Sequence, residues 1–203
     1  MRVTGRAAGA SLPYRSFDPR LVGRLECAAW VAYYRRDWIG LLRAAVGLTR
    51  HTFGLPWRQT LYGAWLVLRA NQQWAPLEND PAAARRTMQR FYALLKARYR
   101  EAYDPSMAAH LEVEWWRVHR EHQRCGVDPD DGPLADALSA LYAYVYGVPE
   151  AHVRRAAEQR ALAMRHSDRW IAEGRDLDSP LLVQERAALV RSYAALLSAV
   201  HTA

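Results

Sequence analysis

Seven of the ten prolines stand at positions that suit the first turn of a helix, and they divide the chain into segments of helical length. Proline is tolerated there because its missing N–H is not needed and its φ angle fits the turn. An aspartate or a serine, both good N-caps, directly precedes four of the seven. These prolines are Pro19, Pro56, Pro81, Pro105, Pro133, Pro149 and Pro180. Because the sequence has no hairpin signals and no alternation of predicted strands and helices, it predicts an all-α fold, a single compact bundle of about seven helices with short connections.

Length and composition favour one folded domain. The chain has 203 residues, of which 51% are hydrophobic, and this is enough to bury a substantial core. Residues 1–17 contain arginines but no apolar run, and we interpret them as a flexible basic tail before one helical domain at residues 18–203. No apolar run reaches the about 18 residues that a membrane span requires. The two cysteines, Cys27 and Cys125, have no metal-type spacing and predict a reduced, cytoplasmic protein.

The positive charge of the chain raises the question of a nucleic-acid partner. The formal net charge is +7, and of the 28 lysine and arginine residues only Lys96 is a lysine, so 27 are arginine. The arginines are spread over every predicted helix, whereas a nucleic-acid surface requires clustered charge. The composition therefore argues against nucleic acid as a partner, and a GC-rich coding sequence explains the arginine bias better. The sequence is compatible with a homodimer as well as with a monomer.

Residues 111–122 contain the densest group of carboxylates, imidazoles and indoles in the chain. On a helix, Glu112, Trp116 and His119 lie along the edge of the inner face, and His122 lies within that face. A carboxylate in such a place loses much of its water, so it needs a cation, a metal ion or several donors, or it takes up a proton. The stretch therefore predicts a polar site in the core of the bundle.

The first predicted helix, from Pro19 to about Thr52, repeats the same spacing of residue types. Glu26, Trp30 and Tyr33 match the glutamate, tryptophan and histidine of residues 112–119. Two helices that each bring a glutamate beside a tryptophan to the core are typical of a bundle-core site. Glycines that recur every seven residues on this helix favour either the close approach of a neighbouring helix or a break near Gly47.

The second predicted helix, from about Pro56 to Gln73, is apolar almost all round and is therefore expected to be the central buried helix. Arg69 near its end needs a carboxylate partner, and the candidates are Glu26, Asp37 and Glu112. On this interpretation the protein is a non-catalytic structural or interaction protein, in which core Glu, Arg and His residues form a buried polar network.

The competing interpretation is a helical protein that binds a small molecule in the core of the bundle. A metal-dependent enzyme of the non-haem oxygenase type is the more specific form of this interpretation. Carboxylate and imidazole ligands suit iron or manganese. The roughly seven-helix size is similar to that of helical oxygenases with a haem-oxygenase-like bundle, but Glu-x-x-His and a later His-x-x-x-Asp-x-x-His pattern are absent. The candidate metal ligands are Glu26, Glu112, His119 and His122.

The remaining site predictions follow from the same helices. Metal-free acid–base catalysis and a haem with His119 or His122 as the axial ligand are further alternatives. Eight tryptophans and eleven tyrosines are able to line a pocket for a small apolar or aromatic ligand. The candidate catalytic residues are Glu112, His119 and Tyr33, and the candidate cofactor-binding residues are Trp116 and Arg69.

Overall fold

The computed structural model describes residues 15–124 and 130–202, and the regular structure in these ranges consists of eight α-helices. The predicted all-α single compact bundle is confirmed. No helix within the described residues has the length and apolar character needed to cross a membrane. The helices are α1 (Pro19–Tyr34), α2 (Trp38–Phe53), α3 (Trp57–Trp74), α4 (Pro81–Tyr99), α5 (Pro105–Arg124), α6 (Gly132–Tyr146), α7 (Glu150–Ala172) and α8 (Pro180–Thr202).

The helices begin where the prolines predicted. Four of the seven prolines are the first helical residue, Pro133 is the second residue of α6, and Pro56 and Pro149 directly precede α3 and α7. Asp18 and Asp80 cap α1 and α4, because each side chain accepts a backbone N–H from the first turn. Local backbone chemistry therefore fixes most of the helix boundaries.

The predicted first helix is in fact two helices, which is why the count is eight. Arg36 has a left-handed backbone conformation with φ of 59°, and Asp37 caps α2 by accepting the backbone N–H of Gly40. A non-glycine residue in this conformation gives no sequence signal, so the helical pattern runs through the turn.

The expected close approach at a glycine is confirmed, since a Cβ at Gly47 would lie 2.8 Å from the Leu25 side chain.

The eight helices form a closed ring. Each helix packs against its neighbours in chain order, and α8 packs against α1. The carboxyl ends of the odd-numbered helices meet at one end of the ring: Gln123 of α5 donates to Tyr34 of α1 at 3.1 Å and to Asp168 of α7 at 2.6 Å, and Arg120 donates to the carbonyl of Trp74 in α3 at 2.6 Å. Neighbouring helices therefore alternate in direction around a common axis.

α3 is not the central buried helix that its composition predicted. It occupies one position in the ring, and four large apolar side chains on its outer side are between 46% and 61% exposed. A helix with apolar residues all round has the same sequence pattern whether its second apolar face is buried or exposed, so the pattern could not distinguish the two. The four side chains are Trp57, Leu61, Tyr62 and Trp65.

The predicted basic tail belongs in part to the folded domain. Phe17 is 4% exposed and packs edge-on against Tyr193 of α8, with 5.6 Å between the ring centroids. Residues 1–14 of the predicted tail lie outside the described residues, and so does Cys125.

Candidate functional site

A cavity of about 290 Å³ lies at the axis of the ring, and all eight helices contribute to its wall. Its volume is close to the lower end of the roughly 300–1,000 Å³ that is typical of ligand pockets. Most of the wall is aromatic or aliphatic, and it includes four tryptophans, Trp30, Trp74, Trp115 and Trp116. Ionisable side chains interrupt this apolar surface at a few points, chiefly Glu26, Glu112, His119, Arg120 and Arg160.

One polar group in the wall is an ion pair between Glu26 of α1 and Arg160 of α7, whose side chains are 5% and 13% exposed. Arg160 donates to one oxygen of Glu26 and, at 3.0 Å, to the Tyr142 hydroxyl. Tyr193 donates to the other oxygen of Glu26. The guanidinium also lies 5.0 Å from the ring centroid of Trp115. Each charge therefore has protein partners, as a buried ion pair requires.

Arg69 is not the cation that neutralises the core glutamates, contrary to the prediction. It is exposed on α3 and does not line the cavity, and Asp37 is exposed as the N-cap of α2. The cation beside Glu26 is Arg160, which lies 134 positions later in the chain. The sequence offered no signal for this partner, because the contact exists only once the ring has closed.

Glu112 of α5 is a second polar group in the wall, and it is half-buried. The Tyr92 hydroxyl of α4 donates to its Oε2 at 2.6 Å. Trp115 and Trp116 follow three and four positions later, so they flank it on the same helix face. Burial raises the pKa of the Glu112 carboxyl, and the Tyr92 hydroxyl and the charge of Arg160 act in the opposite direction. Within the described residues, no basic nitrogen lies within 4.0 Å of its oxygens.

His119 also lines the cavity, two turns after Glu112 on α5. Its Nε2 lies 3.1 Å from Oδ2 of Asp168 in α7, and Gln123 donates to the other oxygen of Asp168. A carboxylate in this position fixes the orientation of an imidazole. Tyr33 lines the same end of the cavity, and burial raises the pKa of its hydroxyl. The predicted catalytic residues therefore share one cavity.

His122, the fourth predicted metal ligand, does not line the cavity. Its side chain is buried near the start of α6, where its Nε2 lies 3.3 Å from Oδ1 of Asp131, and Arg165 contacts the other oxygen of Asp131 at 2.8 Å. Over residues 15–124 and 130–202, no group of three or more His, Cys, Asp or Glu side chains is arranged to hold a metal ion. Iron or manganese binding stays a prediction.

Glu185 of α8 is a buried carboxyl that was not singled out from the sequence. It is 0% exposed and both of its oxygens lack hydrogen-bond partners, although Cys27 of α1 and Ser167 of α7 lie beside it. Burial raises its pKa to about 8, and the charge of Glu26 adds to this effect. A signal was present, because residue 185 falls on the apolar stripe that includes Leu182 and Leu189.

The cavity thus combines a buried ion pair, a glutamate that no basic nitrogen of the described residues contacts, and a histidine beside an aspartate. An arrangement of this kind is able to bind an organic molecule and to hold or move a proton beside it. No protein family matches this chain, and no curated protein or solved structure is similar to it at a significant level.

Proposed function

We propose that this protein binds a small, largely apolar organic molecule in the axial cavity of the helical ring. The observation that supports the proposal is the cavity of about 290 Å³, with an aromatic and aliphatic wall and a few polar groups. Ligand pockets share this composition. Packed protein interiors, by contrast, contain few voids larger than a water molecule.

The chemistry of the wall supports the same proposal. Water that occupies the cavity lies against a mostly aromatic and aliphatic surface, including Trp30, Trp74, Trp115 and Trp116. An apolar ligand that displaces this water removes apolar surface from contact with water, and this is favourable by about 25 cal/mol per Å² of surface buried.

The volume indicates the size of the ligand. A cavity of about 150 Å³ in another protein holds benzene, and the cavity here is about twice as large. A molecule with two fused rings, or an aliphatic molecule of similar bulk, is therefore the expected size class. The alanine side chains of Ala29 and Ala45 provide part of this space, since both residues line the wall and are buried.

The test is binding of neutral two-ring probes, namely naphthalene, indole and 1-naphthalenemethanol, measured by titration calorimetry. We expect one-to-one binding of at least one probe to the wild-type protein. Ala45→Leu places three more carbon atoms in the cavity and is expected to weaken binding at least about tenfold. Ala187→Leu on the exposed side of α8 is the matched control and is expected to leave binding unchanged.

Two results would overturn the proposal: no binding of any two-ring compound, neutral or charged, or equal binding by the wild type and Ala45→Leu. The control separates loss of the cavity from a general effect of an alanine-to-leucine change. Circular dichroism of both variants checks that the helices are intact.

The other predictions from the sequence stay open. Catalysis by Glu112, His119 and Tyr33 requires a ligand to occupy the cavity first, so the binding test precedes it. Metal analysis of protein purified without a chelator tests the prediction of iron or manganese. A cytoplasmic location, the absence of a nucleic-acid partner and a homodimer are untested predictions.

A further inference from the structure

The two glutamates of the cavity wall differ in their charge partners. Glu26 is neutralised by Arg160 and accepts a further hydrogen bond from Tyr193. Glu112 accepts a hydrogen bond from the Tyr92 hydroxyl, but no arginine, lysine or histidine nitrogen of the described residues lies within 4.0 Å of it. Glu112 is half-buried, and the charge of Arg160 acts on it only from beyond this distance. A carboxylate partly removed from water without a cation in direct contact is costly, so a cation in the cavity beside Glu112 would be stabilised.

The arginines that line the cavity are already engaged elsewhere. Arg160 donates to Glu26 and Tyr142. Arg120 donates to the carbonyls of Trp74 and Pro76, and its guanidinium lies 4.3 Å from the Trp74 ring centroid. Moving Arg160 to Glu112 would leave the buried carboxylate of Glu26 without its cation, and Arg120 is held at the end of α3 by two carbonyls and the Trp74 ring, so neither arginine of the cavity wall is placed beside Glu112.

We propose that the ligand of the cavity carries a positively charged amino group, which pairs with Glu112. The inference rests on the proposed binding function and narrows the ligand to a compact apolar or aromatic amine. An ammonium group has up to three N–H donors, of which one or two are able to reach the carboxylate. The apolar part of the ligand would then occupy the aromatic remainder of the cavity.

The aromatic side chains around Glu112 favour the same class of ligand. The Tyr92 hydroxyl and the indole N–H groups of Trp115 and Trp116 act on the carboxylate in the direction of a lower pKa, which favours its charged form. Aromatic rings elsewhere in the wall are able to attract a cation through their faces. Cation–π contact is already present in this wall, since the protein's own Arg160 and Arg120 each lie over a tryptophan. An anionic ligand would meet the charge of Glu112 without a compensating cation.

Three probes of nearly equal size and shape separate charge from volume: 1-naphthylmethylamine, 1-naphthalenemethanol and 1-naphthoate. Their dissociation constants for the wild-type protein, measured by calorimetry at pH 7.5, give the charge preference directly. We expect the amine to bind at least about tenfold more tightly than the alcohol, since hydrogen bonds to charged groups are the stronger ones. The carboxylate probe is expected to bind more weakly than the alcohol.

Glu112→Gln tests whether this carboxylate is the source of the preference, because glutamine keeps the shape and removes the charge. In this variant the affinity for the amine is expected to fall to that for the alcohol. Glu114→Gln is the matched control on the same helix, since Glu114 faces outward and pairs with Arg117 at 2.6 Å. The preference of the control variant is expected to equal that of the wild type.

Each outcome has a distinct meaning. Equal affinity of the wild type for the amine and the alcohol, or an amine preference that survives in Glu112→Gln, overturns this inference and leaves the proposed binding function intact. Failure of all three probes and of the neutral two-ring compounds overturns both. The wild-type probe series needs no variant, so the inference is testable even if Glu112→Gln does not fold.

Discussion

Replacement of Glu185 by glutamine is expected to stabilise the protein at neutral and alkaline pH, although a buried polar side chain is changed. Glu185 is fully buried, and burial raises the pKa of its carboxyl from the ordinary 4.5 to about 8. The folded protein therefore holds this proton more tightly than the unfolded chain does. The contribution of this carboxyl to the free energy of unfolding is therefore largest below about pH 4.5, and it falls as the pH rises to about 8.

The magnitude follows from the difference between the two pKa values. Each pH unit corresponds to about 1.4 kcal/mol, so a difference of about 3.5 units removes about 5 kcal/mol above pH 8 and about 3 kcal/mol at pH 7. Glutamine does not ionise, so this fall in the free energy of unfolding does not occur in the variant. Burying its amide costs about 1–3 kcal/mol, because the oxygens at this position lack hydrogen-bond partners. The net expectation is a gain of about 2–4 kcal/mol at pH 8.5 and a neutral or slightly negative effect at pH 5.

Urea unfolding at pH 5, 7 and 8.5 measures this difference, because urea is uncharged and leaves the ionic strength unchanged. The control is Glu173→Gln, a change at an exposed glutamate at the end of α7. Its effect is expected to be small and nearly independent of pH. A Glu185→Gln variant that is less stable than the wild type at pH 8.5, or whose effect is equal at pH 5 and 8.5, would refute the reasoning.

Two further predictions concern buried groups on α1 and α7. Arg160→Met leaves the charge of Glu26 buried and unpaired and is expected to lower the free energy of unfolding by about 3–5 kcal/mol. The double variant Glu26→Gln/Arg160→Met should recover most of this loss in urea unfolding, and a double variant no more stable than Arg160→Met would contradict a dominant charge effect. Burial, with the nearby charge of Glu185, raises the pKa of the Cys27 thiol to about 12. In a Cys125→Ser background, iodoacetamide at pH 8 should therefore modify the folded protein at least about a hundredfold more slowly than the urea-unfolded protein, and equal rates would show that the thiol is accessible and ionised.

Helix boundaries were the most predictable part of the structure, because they depend on neighbouring residues alone. Proline at a first turn and aspartate at an N-cap act over two or three positions, and both are visible in one sequence. The missed boundary at Arg36 had no glycine or proline to mark it. Helical periodicity also placed six of the named side chains in the wall of the cavity, namely Glu26, Trp30, Tyr33, Glu112, Trp116 and His119. It was wrong for His122, which was placed within the inner face but lies beside Asp131 near the start of α6.

Pairing between these residues and distant helices was not predictable from the sequence. Arg69 was predicted as the partner because it directly follows an apolar run. The actual cation beside Glu26 is Arg160 of α7. The other oxygen of Glu26 accepts from Tyr193 of α8, which lies 167 positions later in the chain. Such contacts depend on how the helices are ordered around the ring. The pattern of a single helix fixes which face turns inward, but it does not fix which helix lies opposite.

The two interpretations of the core carboxylates apply to different residues. Glu26 connects α1 with α7 and α8, so its pairs help to close the ring, and the network interpretation fits it. Glu112 accepts a hydrogen bond from a hydroxyl, and no basic nitrogen of the described residues lies within 4.0 Å of it, so the proposed pairing with a ligand fits this residue. Removing the charge of Glu26 leaves Arg160 buried and unpaired and should mainly cost stability, whereas removing the charge of Glu112 leaves no such cation behind and should mainly cost affinity for an amine. On the proposed function, Glu26 therefore holds the wall of the cavity together, and Glu112 is the residue that we expect to recognise the ligand.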